Sequence, residues 1–408
     1  MSRKIELLAP AGDLERLKQA IRYGADAVYL GGKRFSLRSR ASNFDIKDIA
    51  EGVAFAKQYG AHVHVTVNML PHENDLEGLS EYLKQLEEVG VTAIIVASYA
   101  IMKLAKSVAP KLEVHISTQH SSTNSNVISF WEKQGMDRVV LARECTLEQI
   151  KATTKKAKLP IEVFIHGGMC ISYSGRCTLS NNMTTRDANR GGCAQSCRWK
   201  YRLFENDIPL YQEDHLFSMS SKDLCALRYI PDLIEAGVAS LKIEGRMKSQ
   251  YYLASVVRAY RRCIDEYYEK GYVSETVMRF CEEELGKAEN RRTACGFYEG
   301  MPKSEDHLYG VNGAGVSQEF IAYVLDYEES TQMALLEVRN HFKSGVECEA
   351  FGPKLENTKF IMGDIINEEG EVMEVARTPM QKVKVKMAFP VAKHDMIRKI
   401  MKEKLFVY

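Results

Sequence analysis

The chain has 408 residues, of which 45% are hydrophobic and 27% are charged, and its formal net charge is +1. This length suits two or three domains, and the composition is ordinary for a globular protein. The net charge is too small to drive nucleic-acid binding, so such binding would need local basic patches. No apolar run approaches the roughly 18 residues that a membrane span requires, and we expect no membrane partner.

The first 250 residues alternate short apolar runs with amphipathic segments, many of which end at a glycine. The apolar runs predict eight strands, at residues 5–9, 27–30, 62–68, 93–97, 112–118, 138–142, 161–166 and 240–244. The segments between them predict helices at residues 13–23, 46–59, 76–89, 99–108, 126–134, 146–158 and 222–236. Near-continuous apolar runs are typical of parallel strands that are buried on both faces. Eight such units predict an α/β fold, a TIM-like (β/α)8 barrel within residues 1–300.

A doubly wound open sheet is the alternative to the barrel. Such a sheet usually has fewer strands and a glycine fingerprint at its first turn, whereas residues 9–12 read APAG. Residues 247–292 predict two further helices that pack on the barrel, and residues 293–307 predict a linker.

Four of the ten cysteines fall in the glycine-rich loop after the seventh predicted strand, at Cys170, Cys177, Cys193 and Cys197. Nearby Arg176, Arg190 and Arg198 would lower the thiol pKa values and favour thiolates. Four thiolates in one loop suit an iron–sulfur cluster or a closed zinc site. Unligated core or redox thiols are the alternative. Residues 1–10 show no signal peptide, so we expect a reducing cytoplasm, where disulfides are rare.

The catalytic face of a (β/α)8 barrel lies at the carboxyl ends of its strands. The polar residues predicted at this face are Asn68, Ser117, Thr118, Gln119, Arg143, Glu144, His166, Glu244 and Arg246. From this set we predict His166, Glu244 and Arg143 as catalytic residues. A hydrolytic pair of Cys170 and His166 is conceivable, but no third group is evident that would orient the histidine.

The loop at residues 31–44 lies on the same face and carries four cations and no acid, at Lys33, Arg34, Arg38 and Arg40. A solvated charged surface and an anion-binding site are both compatible with this pattern. Converging guanidinium groups recognise carboxylates bidentately. We therefore predict a substrate-binding set formed by Arg38, Arg40, Arg246 and Gln119.

From residue 315 the apolar pattern changes to a period of two, broken by turn residues. This pattern predicts a small antiparallel β-barrel domain at residues 310–390. Residues 391–408 are predicted as a basic helical tail. Residues 382–404 hold eight Lys and Arg against two acids, which would suit a phosphate backbone or an ordinary solvated surface.

Residues 162–180 (EVFIHGGMCISYSGRCTLS) resemble the signature of peptidase family U32, the collagenase-like proteases. That signature has E-x-F, a glycine before the first cysteine, C-x4-G-x-C and a following serine. Gly168 departs from it, since the family usually has alanine or serine there. The resemblance continues at residues 9–13 (APAGD), 35–44 (FSLRSRASNF), 116–119 (ISTQ), 193–197 (the CxxxC pair) and 242–249 (KIEGRMKS).

The resemblance implies a function that the residues alone do not. Family members with one barrel and this β module hydroxylate the wobble uridine of tRNA to 5-hydroxyuridine without molecular oxygen, and prephenate is implicated as the oxygen source. Such members bind a 4Fe–4S cluster through four cysteines, which match Cys170, Cys177, Cys193 and Cys197 here.

The implied partners are tRNA, a small dicarboxylate co-substrate and a paralogous protein of the same family. Two alternatives remain open at this point. One is a U32-type peptidase, for which no hydrolytic constellation stands out, and the other is a non-catalytic RNA-binding protein.

Overall fold

The structure is a computed structural model that describes residues 4–37, 43–210, 216–288, 291–309 and 316–405. Parallel strands alternate with helices through its first 167 residues. The strands are β1 (Glu6–Pro10), β2 (Ala27–Gly31), β3 (His62–Val67), β4 (Ala93–Val96), β5 (Glu113–Ile116), β6 (Arg138–Val140) and β7 (Ile161–Gly167). The helices are α1 (Leu14–Arg22), α2 (Ile46–Gln58), α3 (Leu79–Glu88), α4 (Tyr99–Val108), α5 (Ser125–Lys133) and α6 (Leu147–Lys156).

The segment after β7 contains the cysteines and several short elements. They are α7 (Leu179–Thr184), β8 (Phe204–Glu205), β9 (Ile208–Pro209), β10 (Ser220–Ser221), β11 (Asp223–Cys225), α8 (Ile230–Glu235) and β12 (Ser240–Ile243). Strand β12 pairs in parallel with both β1 and β7 and so closes an eight-stranded barrel. The predicted TIM-like (β/α)8 barrel is confirmed, and the open-sheet alternative is wrong.

The helix predicted at residues 222–236 is wrong over its first half. Residues 223–225 form β11, which pairs antiparallel with the end of β7 through Leu224–Gly167 and Cys225–His166. Helix α8 begins only at Ile230, with Pro231 in its first turn. Proline is tolerated in the first turn of a helix but not in its interior, which explains the late start.

Two long helices pack on the barrel as expected, α9 (Gln250–Lys270) and α10 (Glu275–Ala288). They are followed by the short strands β13 (Thr293–Ala294) and β14 (His307–Leu308). Thirteen residues of α9 are buried, and its residue Tyr260 is fully buried beside β7. This helix therefore covers the outer side of the barrel where the cysteine loop begins.

The C-terminal domain is an antiparallel half-barrel built around one eight-stranded sheet. Its strands are β15 (Val316–Glu328), β16 (Met333–Val338), β17 (Phe342–Lys343), β18 (Glu347–Phe351), β19 (Thr358–Ile361), β20 (Ile365–Ile366), β21 (Val372–Met373), β22 (Val375–Ala376), β23 (Lys382–Lys386) and β24 (Met396–Leu405). The buried face of the sheet includes Ile321, Leu336, Phe342 and Ile397.

The predicted basic helical tail at residues 391–408 is wrong, because Met396–Leu405 is the central strand β24. Alternation along the strand sends Ile397 into the domain core and Arg398 towards α10. Arg398 is fully buried and donates to Glu284 (2.7 Å) and, through Nε, to Glu349 (2.8 Å). This part of the basic stretch therefore joins the two domains instead of facing solvent.

Candidate functional site

The four cysteines of the loop after β7 line one cavity of about 400 Å³, here called the cysteine cavity. Cys193 is exposed, and Cys170, Cys177 and Cys197 are partly buried. The cavity opens on the carboxyl side of the barrel, where Gly168, Glu244 and Lys248 also line it. The tertiary structure thus brings together the four cysteines that the sequence singled out.

Two side-chain contacts fasten the cysteine loop to the barrel, and a third holds two parts of the loop together. Glu144, after β6, accepts hydrogen bonds from the backbone N (2.7 Å) and hydroxyl (3.3 Å) of Ser174. The Asn189 side chain accepts from the backbone N of Cys177 (3.4 Å) and donates to its carbonyl (3.1 Å). Arg190 binds the Asp75 carboxylate with two nitrogens, at 2.9 and 2.7 Å. Glu144 and Arg190 therefore have structural partners.

The thiols interact electrostatically with one another. Burial is the largest influence on the pKa of Cys197 and raises it. The Cys170 thiol raises this pKa further, Arg198 lowers it, and the Cys193 and Cys177 thiols also raise it. Arg198 lowers the pKa of Cys197 as expected, but burial and the neighbouring sulfurs outweigh it, so the net shift of this pKa is upwards. A Cys197 thiolate that burial and the neighbouring sulfurs disfavour is one that a bound cation would stabilise.

The donor set can be compared with the two kinds of metal group that it could hold. Across the part of the chain that the structure describes, no three His, Cys, Asp or Glu side chains are arranged to hold a single metal ion. An iron–sulfur cluster distributes its thiolate ligands over several irons, so the four sulfurs need not converge on one point. Four cysteines around one cavity are a donor set that suits such a cluster.

A second cavity of about 100 Å³ occupies the mouth of the barrel and is here called the mouth cavity. Its lining includes four of the predicted site residues, Gln119, Arg143, Glu244 and Arg246. Leu37, Arg143, Gly175 and Glu244 line both cavities, so the two adjoin. Arg38 and Arg40 lie outside the described residues.

Arg143 is held at the junction of the two cavities. Its guanidinium stacks on the Phe164 ring at 4.0 Å and donates to the Gly168 carbonyl at 2.6 Å. It makes no ion pair with any carboxylate in the described ranges. A cation fixed by an aromatic ring and a neutral carbonyl keeps its charge available to an anionic ligand.

Arg246 and Gln119 are buried in the wall of the mouth cavity, each 4% exposed. Arg246 donates to the Ser36 hydroxyl (2.9 Å) and the Asn43 side-chain oxygen (2.7 Å). Gly31 makes room for it, since a Cβ there would overlap the guanidinium. The Oε1 atom of Gln119 is buried and has no hydrogen-bond partner among the residues that the structure describes, which leaves an acceptor for a ligand donor.

Tyr29 and Lys242 are among the mouth-cavity residues that were not predicted from the sequence. The Tyr29 hydroxyl lies 3.1 Å from Glu244 Oε2 and donates to the Ile243 carbonyl at 3.0 Å. Burial, and then the Glu244 carboxylate, raises the pKa of Tyr29 well above its usual range, so the hydroxyl keeps its proton. Lys242 lies 4.5 Å from the centre of that ring and pairs with buried Glu162 at 2.7 Å. Lys242 begins the stretch KIEGRMKS, which carries part of the family resemblance, and this resemblance could have indicated Lys242 as a site residue.

His166 is placed away from both cavities. Glu162 and Phe164 point into the barrel, but β7 carries an extra residue opposite Lys242 and Ile243, and this β-bulge turns His166 outwards. There its Nδ1 lies 3.2 Å from the Tyr260 hydroxyl, and burial lowers its pKa to about 3. We therefore leave His166 out of the proposed catalytic set, and the Cys170–His166 pair loses its basis.

Asp223 is a cavity residue that sequence reasoning missed. It lines the cysteine cavity and is 5% exposed, and its Oδ1 accepts no hydrogen bond from the described residues, although Arg291 Nε lies 3.6 Å away. Burial raises its pKa, and Lys248, 3.7 Å from Oδ2, opposes that shift. No local pattern could reveal it, because only the pairing of β11 with β7 brings it to the cavity.

None of the described helices is both long enough and apolar enough to cross a membrane.

The model of peptidase family U32 matches residues 12–308, and the model of the family's C-terminal domain matches residues 316–398. The chain is 48% identical to tRNA hydroxylation protein P1 of Bacillus subtilis over 98% of this chain and 96% of that one.

Two further relatives carry different names. The chain is 32% identical to tRNA hydroxylation protein P of Escherichia coli over 91% of each chain. It is also 32% identical to a collagenase of Porphyromonas gingivalis over 82% of this chain and 83% of that one. Since the two family models together span both domains, the chain belongs to peptidase family U32.

Proposed function

We propose that this protein is a tRNA hydroxylase that converts the wobble uridine to 5-hydroxyuridine without molecular oxygen. The observation that carries the proposal is the junction of the cysteine cavity with the mouth cavity through Arg143 and Glu244. The two relatives that are named tRNA hydroxylation proteins, matched over nearly their whole lengths, support the same reaction class.

A 4Fe–4S cluster is the proposed cofactor, held by Cys170, Cys177, Cys193 and Cys197. When bound, such a cluster would supply electron-transfer or Lewis-acid chemistry at the cysteine cavity. The chain's own contribution is a half-enclosed cavity with four sulfur donors and a neighbouring binding space.

The mouth cavity is the proposed site of a small dicarboxylate co-substrate, with prephenate as the candidate that the family resemblance suggests. Arg143 is the proposed carboxylate ligand, since its guanidinium faces both cavities and has no competing carboxylate in the described ranges. Gln119 would accept a hydrogen bond from the bound molecule, and Arg246 would contribute positive charge from the wall. Arg38 and Arg40 stay predicted members of this set.

Glu244 is the proposed proton-transfer group: the co-substrate would donate the oxygen and be reduced by two electrons as the C–O bond forms at C5 of uracil, and the C5 proton that then leaves needs a base to receive it. Its carboxylate lines both cavities, and the Tyr29 hydroxyl lies 3.1 Å from one oxygen. A tyrosine that keeps its own proton orients the carboxylate without competing for the substrate's proton.

The β domain is proposed to add affinity for the RNA backbone. Lys382, Lys384 and Lys386 alternate with buried valines on β23 and are all exposed. Successive same-face residues of a strand lie about 7 Å apart, close to the spacing of neighbouring phosphates along a nucleic-acid strand. A paralogous family protein stays a predicted partner.

Nucleoside mass spectrometry of tRNA tests the proposed function. A deletion strain should lack 5-hydroxyuridine, wild-type protein should restore it, and the Cys177→Ser variant should not. Anaerobic reconstitution should give a brown protein with about four irons per chain. Unchanged 5-hydroxyuridine in the deletion strain would contradict the proposal.

A U32-type peptidase is the second candidate, because one relative, matched over 83% of its length, is named a collagenase. Peptide cleavage that survives iron chelation and the Cys177→Ser change would favour it. Tight tRNA binding without any altered nucleoside would instead favour a non-catalytic RNA-binding protein.

A further inference from the structure

The chain that leaves the cysteine cavity forms an antiparallel ribbon, here called the aromatic ribbon, made of residues 199–210 with Phe217. Tyr201 and Phe217 exchange two backbone hydrogen bonds of 2.7 and 2.8 Å, and Leu210 N donates to the Leu203 carbonyl at 3.0 Å. Strands β8 and β9 pair at its tip. Asn206 and Asp207 connect them with φ of 48° and 64°, as in the two-residue turn that closes tight hairpins.

The aromatic ribbon exposes an unusual amount of apolar side chain. Trp199 is 42% exposed, Phe204 is 55% exposed and Ile208 is 67% exposed, and Leu210 at the end of the hairpin is also exposed. A soluble surface usually shows such residues singly, so their concentration on one hairpin marks a contact surface.

The rings at the base of the aromatic ribbon are held in place. The Trp199 and Tyr201 ring centres are 6.4 Å apart with an interplanar angle of 33°, and the Tyr201 hydroxyl donates to the Ser196 carbonyl at 2.6 Å. On the returning chain, Phe217 stacks on Tyr309 with centres 6.0 Å apart. Trp199 is therefore presented on a fixed base, which lowers the entropy cost of stacking a ligand on it.

The base of the aromatic ribbon, beside the cysteine cavity, has the charge that favours a polyanion. Residues 188–204 contain Arg190, Arg198, Lys200 and Arg202 and no acid, whereas the tip of the ribbon carries Glu205 and Asp207, so the basic charge is confined to the segment around Trp199. Arg190 is bound to Asp75, but Lys200 and Arg202 are exposed and form no ion pair with a carboxylate of the described ranges. Aromatic and basic residues alternate from Trp199 to Arg202, a pattern that suits the bases and phosphates of unpaired RNA.

We propose that the aromatic ribbon is the docking surface for unpaired bases of the RNA loop that contains the target uridine. Trp199 directly follows Arg198, which lines the cysteine cavity, so we place its ring next to that cavity. A base that enters a cavity must leave its stack, and its neighbour then needs a new stacking partner. Trp199 supplies that partner, Lys200 and Arg202 contact phosphates, and Phe204 and Ile208 hold the loop open. This assignment rests on the proposed function.

Alanine substitution of Trp199 tests the stacking role. Binding of an anticodon stem-loop should weaken by about 5- to 100-fold, the usual effect of removing one base-stacking ring. The Trp199→Phe variant should keep most of the affinity. Lys200→Gln with Arg202→Gln should lower the salt slope of binding, whereas Trp199→Ala should leave that slope unchanged. Tyr59→Ala, which removes a 54%-exposed ring at the end of α2, is the matched control.

Tryptophan emission gives a second measurement, since Trp199 and Trp131 are the two tryptophans of the chain and Trp131 is 4% exposed. Adding the stem-loop should quench wild-type emission and leave the emission of Trp199→Phe unchanged. Equal quenching in both proteins would overturn the proposal.

The outcomes separate the ribbon assignment from the proposed function. If wild-type protein neither binds tRNA nor yields 5-hydroxyuridine, the proposed function fails, and the ribbon assignment falls with it. If wild type does both and Trp199→Ala matches Tyr59→Ala in affinity, the ribbon assignment alone is overturned. The ribbon assignment would also be overturned if light scattering showed a dimer for wild type and a monomer for Phe204→Ser/Ile208→Ser, with RNA affinity unchanged. That result would show that this surface binds a second copy of the chain.

Discussion

The carbonyl oxygen of Glu244 lies directly against Gly167, so closely that a Cβ at Gly167 would overlap it. Glu244 N also donates to the His166 carbonyl at 2.8 Å. These contacts join the ends of β7 and β12 at the point where the two cavities meet. Gly167 has a φ of 103°, in the region that side chains avoid, so glycine is required there for both reasons.

Gly167→Ala should therefore destabilise the protein by about 1–3 kcal/mol, through overlap and backbone strain. Gly286→Ala is the matched control, because Gly286 is exposed in α10 and a Cβ there would meet nothing within 4 Å. The control should be neutral or stabilising by up to about 1 kcal/mol. Urea unfolding measures both, and equal midpoints would contradict the close approach.

Serine substitution tests the proposed cluster ligands. Cys170→Ser, Cys177→Ser, Cys193→Ser and Cys197→Ser should each lose the cluster, because its irons need thiolate ligands. Cys145→Ser and Cys225→Ser are the controls. Cys145 is buried, and burial raises its pKa to about 11, while the Cys225 Sγ lies 3.8 Å from the Tyr260 hydroxyl.

Iron and sulfide content after anaerobic reconstitution measures cluster binding. The remaining cysteines, Cys263, Cys281, Cys295 and Cys348, should also tolerate serine in this assay. A variant of Cys225 that loses iron while the Cys197 variant retains it would show that the proposed ligand set is wrong.

Arg143→Lys should reduce turnover at least about ten-fold and leave iron content and tRNA affinity near wild type. Lysine cannot reproduce the planar, bidentate contact of a guanidinium with a carboxylate. Arg34→Lys is the matched control. Like Arg143, Arg34 stacks on an aromatic ring, that of Phe35 at 4.7 Å, and donates to a backbone carbonyl, that of Glu77 at 2.6 Å. Unlike Arg143, it lines neither cavity. If the Arg143→Lys variant hydroxylated tRNA at the wild-type rate, Arg143 would not be the ligand of the co-substrate's carboxylate.

Changing Lys382, Lys384 and Lys386 to glutamine should weaken tRNA binding and lower its salt dependence. For every lysine that binds a phosphate in the wild-type complex, the slope of log affinity against log salt should fall by about one unit. The same change at Lys343, Lys354 and Lys359, exposed lysines elsewhere in the β domain, controls for net charge. If both triple variants show the wild-type slope, β23 is ordinary solvated surface.

Acid should destabilise the barrel through His64. Burial lowers the pKa of His64 to about 3, against the effect of Glu6, while His115 and Arg138 lower it further. The unfolded chain, with a histidine pKa near 6.5, therefore binds the extra proton first as the pH falls. Between pH 6.5 and 3 the folded state should lose about 1.4 kcal/mol of stability per pH unit from this residue.

Replacement of His64 by glutamine should flatten the pH dependence of unfolding in that window. His72→Gln is the control: it changes an exposed histidine and should not flatten this pH dependence. Below pH 4.5 a further loss is expected from Glu162: burial would raise its pKa, but Lys242 and Arg138 hold it at about 2. A His64→Gln profile that parallels wild type from pH 6.5 to 3 would contradict the assignment.

The sequence by itself was sufficient for the barrel and for the set of four cysteines. Continuous apolar runs such as residues 93–97 are local signals of buried parallel strands, and their order along the chain fixes which strand ends share a face. The position of Cys170 just after β7 follows from the same local reading. Arg143 and Glu244 were found for this reason, because both lie within three residues of the end of a barrel strand.

Only the tertiary structure decided the rest, because it depends on pairing between distant segments. One extra residue in β7 turns His166 away from the barrel mouth, and no pattern of hydrophobicity records such a bulge. The pairing of β11 with β7 brings Asp223 to the cysteine cavity across more than fifty residues of chain. Arg398 is a third example. The charge of its stretch suggested an exposed helix, whereas the stretch forms β24 and Arg398 is buried against Glu284 and Glu349.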